Sequence, residues 1–209
     1  MRTDLNPAEL GSGPFYKLLT SVVVPRPIAW VSTRSAEGVD NLAPHSFFTV
    51  SCVDPPMIQF TSVGKKDSLR NVSQTREFVV CLAGEPMFEK INATSTDFPA
   101  EISEFTSVGL TPEPSATVAP FRVAESPVAL ECVLHANIEL GNSTVVIGRV
   151  THASIDEDVF VTDARGNSLP DVRKLAPLAR LGRNEWSRLG EVIEISRIPY
   201  KDWPGHYGS

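Results

Sequence analysis

The chain has 209 residues, 42% of them apolar and 21% charged, a composition that suits one globular domain rather than a disordered or fibrous chain. Its formal net charge of −6 argues against non-specific nucleic-acid binding, which rests on a basic surface. No apolar run approaches the roughly 20 residues that span a bilayer, and the opening "MRTDLNPAEL" has neither the apolar core nor the cleavage site of a secretory signal.

In chain order, "VVVPRPIAWVST" reads as a strand interrupted by Pro25 and Pro27, with the strand proper over Ile28–Thr33. Glu37-Gly38 supplies a turn. The chain then returns as "NLAPHSFFTVSC" to complete a hairpin, with Phe47–Cys52 as its plain strand. "MIQFTSV" is a third strand. Phe78–Ala83 is a fourth, and its lack of polar side chains predicts cover on both faces. "PVALECVLHANIEL" alternates at period two: Val128, Leu130, Cys132, Leu134, Ala136, Ile138 and Leu140 are expected on one face, opposed by Glu131, His135, Asn137 and Glu139. The turn Gly141–Ser143 leads into "TVVIGRVTHASI", in which Gly148 predicts a bulge or bend. Short helices are expected over "KDSLRNVSQT", starting at Lys66 or Asp67; over "EPMFEKINATS", with Pro86 in the first turn; and over "EISEFTSVGL", ending on Gly109. Many short antiparallel strands with few helices predict a mainly β fold, a closed or nearly closed barrel.

Cys52, Cys81 and Cys132 each lie in an apolar run, are odd in number and form no CxxC. They are expected to be buried, reduced thiols of a cytoplasmic protein. His45, His135, His152 and His206 have no metal-ligand spacing, and His135 and His152 are expected at exposed or hydrogen-bonded strand positions. There is no GxGxxG, no P-loop and no GxSxG. Basic residues concentrate at Lys65, Lys66 and Arg70 and again over Arg173–Arg183, either as solvated surface or as anion sites.

Two stretches carry chemistry. In "TSVGKKDS" a strand ends, turns at Gly64 and enters a helix. A helix start offers free N–H groups and the positive end of the dipole, so with Lys66, Ser62 and Ser68 it suits a phosphate; the plain alternative is an ordinary cap beside a solvated lysine. In "NLAPHSFF", Asn41, Ala43, Pro44, His45 and Ser46 precede Phe47 and Phe48. This is either a polar turn or a strand end lining a pocket, and His45 reads as a pocket residue or as a turn residue facing solvent.

Taken together, "VVPRPIAWVST", "GVDNLAPHSFF", "DPPMIQF", "KKDSLRN", "SPVALEC" and "ARLGRNEW" resemble, in order from Tyr16 to Trp186, the flavin reductase-like proteins of the long-chain, flavoredoxin-like branch. The resemblance implies one domain over residues 1–209: an antiparallel, Greek-key split β-barrel that binds FMN, with a core over residues 16–186 and a C-terminal extension over 187–209. It implies a homodimer with non-covalent FMN near the interface. Ser32 and Thr33 would then lie beside the flavin; Asn41, Ala43, Pro44, His45 and Ser46 along the ring and ribityl chain; and Ser62, Lys66, Asp67 and Ser68 around the phosphate. Arg183 and Trp186 depart from the glycine and tyrosine common in that branch, so the role of their segment is not carried over. The implied activity is NAD(P)H-dependent flavin reduction, with NAD(P)H as a transient co-substrate and a monooxygenase as possible recipient. No side chain is expected to be an obligatory catalytic acid or base, and no metal, nucleic-acid or membrane partner is expected. The alternatives are an FMN-binding electron carrier of the flavoredoxin kind and a flavin-binding protein without reductase turnover.

Overall fold

In the computed structural model, which describes residues 1–205, seven strands form one antiparallel sheet whose two edge strands are consecutive in the chain. β1 (Ala29–Arg34) pairs with β2 (Asp40–His45), and β3 (Phe48–Cys52) with β4 (Met57–Val63). β5 (Glu77–Leu82) and the 13-residue strands β6 (Val128–Leu140) and β7 (Ser143–Ile155) complete the order β2-β1-β5-β6-β7-β4-β3. Only Ser46 and Phe47 separate β2 at one edge from β3 at the other. The same stretch of chain therefore serves both edges, and the sheet curls round as a split barrel. This refines the expected first hairpin. The polar residues Asp40–His45 are themselves the strand opposite β1, whereas Phe48–Cys52 turns away to pair with β4.

Strand alternation sorts side chains into two cores. Ala29, Val31, Phe60, Phe78, Val80, Cys132 and Val146 fill the barrel. Trp30, Leu42, Val79 and Cys81 face outward and are covered by Ile91 of α3 (Phe88–Ala93) and Phe105 of α4 (Glu104–Ser107); the other two longer helices are α1 (Ser12–Val22) and α2 (Asp67–Thr75). β5 is thus covered on both faces, as its composition predicts. Gly148 sits at a register shift between β6 and β7, and a Cβ there would lie 2.2 Å from the Phe78 ring, so the glycine makes room for the aromatic core.

Three expectations need correction. Glu131, assigned by alternation to the polar face, is fully buried. Its carboxylate accepts from the N–H groups of Ala116 (2.8 Å) and Thr117 (2.6 Å) and from the Thr117 hydroxyl (2.7 Å), which secures the loop before Phe121. Cys52 is only half-buried, while Cys81 and Cys132 are buried, and burial pushes both of their thiols up to about 12. The third helix is one turn, Glu104–Ser107, because a turn closed by the Ile102 N–H on the Pro99 carbonyl (2.9 Å) takes up the start of the expected stretch; Gly109 still follows it with φ +66°. His135 and His152 are exposed as expected, and His206 lies outside the described residues.

The N-terminal segment forms a helix that strand-like patterning did not predict. Helix α1 buries none of its residues, and Arg26 clamps its end. One guanidinium nitrogen of Arg26 donates to the carbonyls of Thr20 (2.6 Å) and Val23 (2.8 Å), the other to that of Leu181 (2.8 Å). The C-terminal strap pairs Arg26–Pro27 with Ala179–Arg180, and these with Trp186–Ser187. Gly182 lies so close to α1 that a Cβ would meet Ser21 Oγ at 2.8 Å. In "RLGRNEW", Leu181 and Gly182 thus fasten the strap to the N-terminal helix.

Candidate functional site

Along the edge strand β2, this strand, the start of α2 and the loop after α3 enclose a cleft of about 270 Å³. Asn41, Ala43, Pro44, His45 and Ser46 form one wall, Lys66, Asp67 and Ser68 the second, and Thr94–Phe98 with Glu104 the third. Tyr16 of α1 stands at the rim, its ring edge-on to Phe47 at 6.4 Å between centroids. Eight of the eleven residues expected to bind cofactor therefore converge: Asn41, Ala43, Pro44, His45, Ser46, Lys66, Asp67 and Ser68.

Ser32, Thr33 and Ser62 do not line the cleft. All three are fully buried: Ser32 and Thr33 point to opposite faces of β1, which is covered on both sides, and Ser62 faces inward from β4. Thr33 serves the site indirectly. Its hydroxyl accepts from the side-chain amides of Asn71 (3.1 Å) and Asn41 (3.4 Å). Asn41 also donates to Ser68 Oγ at 3.2 Å, and Ser68 Oγ lies 3.3 Å from His45 Nε2. The Ser68 hydroxyl accepts from Asn41 and still has its own proton to offer to the neutral imidazole. The imidazole is tilted on Phe60, with centroids 4.7 Å apart. Burial lowers the His45 pKa to about 4, against the pull of a hydrogen bond to the Thr61 backbone, and the Lys66 charge acts in the same direction as burial. His45 is therefore a neutral pocket residue, not a solvent-facing turn residue.

At the second wall, Lys66 is the extended residue before α2, and no side chain caps the helix. The first N–H groups of this nine-residue helix thus keep their donor capacity at the cleft. Asp67 is tied to Arg70 at 2.5 Å. Lys66 Nζ reaches across the mouth to Asp97 Oδ1 at 2.6 Å, and that pairing holds the Asp97 carboxyl below its ordinary range.

Sequence reading missed Tyr16, Thr61, the Thr94–Phe98 loop and Glu104. Trp30 gave an indirect signal for the loop: its buried ring N–H needs an acceptor and finds Thr94 Oγ1 at 2.9 Å. Glu104 gave none. Its Oε2 accepts from the Leu42 N–H at 2.9 Å, and burial raises its pKa more than this bond lowers it, with the charge of Asp67 adding to the rise. The cleft so built offers a cationic, N–H-rich end and a strand wall of small residues to a ligand with both polar and flat parts.

Among the described residues no helix is long and apolar enough to cross a membrane. The profile of the family described as flavin reductase like domain matches residues 21–169. An uncharacterised protein of Halalkalibacterium halodurans is 38% identical over 205 residues, covering 92% of this chain and 95% of its own. In structure, nitrilotriacetate monooxygenase component B from Bacillus cereus superposes with a TM-score of 0.87 at 33% identity, over 93% of this chain and 99% of that one. Pseudomonas fluorescens 2-nitrobenzoate 2-nitroreductase gives 0.85 at 29% identity, over 95% and 98%. Fold, motif order and the family profile agree on one assignment: this chain belongs to the flavin reductase-like family of split-barrel proteins.

Proposed function

We propose that this protein binds FMN non-covalently in the cleft and uses NADH or NADPH to reduce it. The observation that carries this reading is the meeting of the Ala43–Ser46 strand wall with the uncapped start of α2 and Lys66. The donor set fits the group: an ammonium and helical N–H groups for a phosphate dianion, and small side chains beside a flat ring. When bound, the flavin supplies the hydride-accepting ring. Lys66 and the first N–H groups of α2 would hold the phosphate end. The backbone around Ala43–Ser46 would meet the polar edge of the ring and stabilise negative charge arising there. His45 is neutral, so it shapes the wall without adding charge. No side chain in the cleft is needed as an obligatory proton donor, and Tyr16 and Phe98 supply its aromatic rim.

A homodimer belongs to the same reading. Leu19, Val22 and Val23 of the α1 segment are 48%, 63% and 58% exposed, an apolar face that a second copy would cover. Tyr16 lies on the same helix, so the interface would adjoin the cleft. The name of the Bacillus cereus relative describes a monooxygenase component, which supports a partner monooxygenase as recipient of the reduced flavin. The thiols of Cys81 and Cys132 support a cytoplasmic location.

The test is anaerobic mixing of the FMN-loaded protein with NADH or NADPH while flavin absorbance is followed. Bleaching within seconds, followed by transfer to free flavin, is the expected result. Reduction by dithionite alone would replace the reductase reading with that of an electron carrier, and failure to bind FMN would overturn both.

A further inference from the structure

Beside the main cleft lies a second cavity of about 180 Å³ that shares Pro44, Ser46 and Ser95 with it and is closed by Arg180 and Trp186 of the C-terminal strap. Arg180 is half-buried, and its guanidinium lies 5.1 Å from the centroid of the Trp186 ring. One of its terminal nitrogens donates to the Arg183 carbonyl at 2.8 Å; its remaining N–H groups have no acceptor, and no carboxylate pairs with it, among the described residues. Nearby, Arg26 spends its charge on three carbonyls rather than on an acid, and the two guanidinium groups repel. Two neighbouring cations without a counter-ion, in a protein of net charge −6, leave a local positive potential. The half-buried Ser46 hydroxyl has no intramolecular partner among the described residues, and the Asn92 side-chain amide stands exposed on the same cavity.

We propose that this cavity is a binding site for a small planar carboxylate, held by the Arg180 guanidinium where it lies over Trp186, with Ser46 and Asn92 as neutral hydrogen-bonding neighbours. Arginine suits the role because its planar fork matches a carboxylate through two parallel bonds, and a ring attached to that carboxylate, coplanar with the guanidinium, would extend alongside the indole that Arg180 already covers and Phe88 backs. A phosphate would engage the cation equally well but has no use for the aromatic wall. Through Ser46 and Pro44 the bound molecule would lie against the occupant of the main cleft, the position of a second reactant. That role, though not the site itself, rests on the flavin reading.

Benzoate is the probe, with benzamide as its neutral isostere and inorganic phosphate as the ringless anion. Each is titrated by calorimetry into the full-length protein with and without saturating FMN, with Trp186 fluorescence followed in the flavin-free sample. Benzoate should bind about 10- to 100-fold more tightly than benzamide, the span of one charged hydrogen-bonded contact. Arg180→Gln should abolish that preference. Arg180→Lys, which keeps the charge, guards against a folding defect and should retain only part of it. Trp186→Phe should remove the fluorescence response. Equal binding of benzoate and benzamide, undiminished benzoate binding in both Arg180 variants, or phosphate binding as tightly as benzoate would each overturn the proposal. Arg180-dependent benzoate binding in a protein that takes no FMN would uphold this site while removing the flavin reading; FMN binding without benzoate binding would do the reverse.

Discussion

The carboxylate of Asp97 lies 2.6 Å from the ammonium of Lys66 across the mouth of the cleft, so any anion that enters there must share or displace it. Both side chains are exposed, at 55% and 84%, so the pair itself holds the cleft only weakly, and an incoming dianion can compete with it.

This sets the first prediction. Lys66→Ala should weaken FMN binding by roughly 10- to 100-fold, the worth of a charged hydrogen bond, and should weaken riboflavin binding far less. Asp97→Asn should change FMN affinity in the opposite direction, because it frees the ammonium and removes a like charge. Fluorescence titration of both ligands reads the effects. Equal losses for FMN and riboflavin in Lys66→Ala would show that Lys66 does not read the phosphate.

His45 sets the second. With a folded pKa of about 4 against an ordinary value of about 6.5, its neutral form is the one the fold stabilises. The unfolded chain binds the extra proton between these values, so the contribution is fully present above about pH 6.5 and declines as pH falls toward about 4. Urea unfolding midpoints between pH 7 and pH 4 should show this decline, and His45→Asn should flatten it. An NMR titration of the imidazole with a midpoint near its ordinary value would refute the assignment.

Glu131 sets the third. Burial alone would raise its pKa, but the N–H groups of Ala116 and Thr117 and the Thr117 hydroxyl outweigh it and hold the carboxyl below the ordinary range. Its stabilisation is therefore present above the unfolded pKa and is lost as pH falls through the folded one. Glu131→Gln should cost about 1–3 kcal/mol, since an amide NH₂ would face donors where an oxygen stood. Chemical denaturation at pH 7 measures this. Without that loss, the loop at Ala116–Thr117 must be held by other contacts.

Gly148 sets the fourth. A methyl group there would collide with Phe78 at 2.2 Å, in a core where neither strand can retreat. Gly148→Ala should destabilise the protein by about 1–3 kcal/mol, and pairing it with Phe78→Leu should recover part of the loss. Thermal melts of the three variants give the coupling; strict additivity would show that the two sites do not meet.

Local pattern alone determined much of this molecule. Period-two alternation marked β6 and its return in β7, Gly148 announced the bulge between them, and the Lys66–Asp67 helix start was visible as a strand end, a glycine and a run of polar residues. These features depend on neighbours in sequence, so the sequence states them directly. Tertiary structure decided the rest. Glu131 looked like a surface residue of an alternating strand until a loop 14 residues away supplied its donors. Tyr16 and Glu104 reached the cleft from helices distant in sequence from β2, and Asp97 found Lys66 across 31 residues. Ser32, Thr33 and Ser62 are kept from the cleft because other elements cover both faces of β1 and the inner face of β4. Such placements arise from long-range pairing and from the need of every buried polar group for a partner, and no local stretch of sequence encodes them.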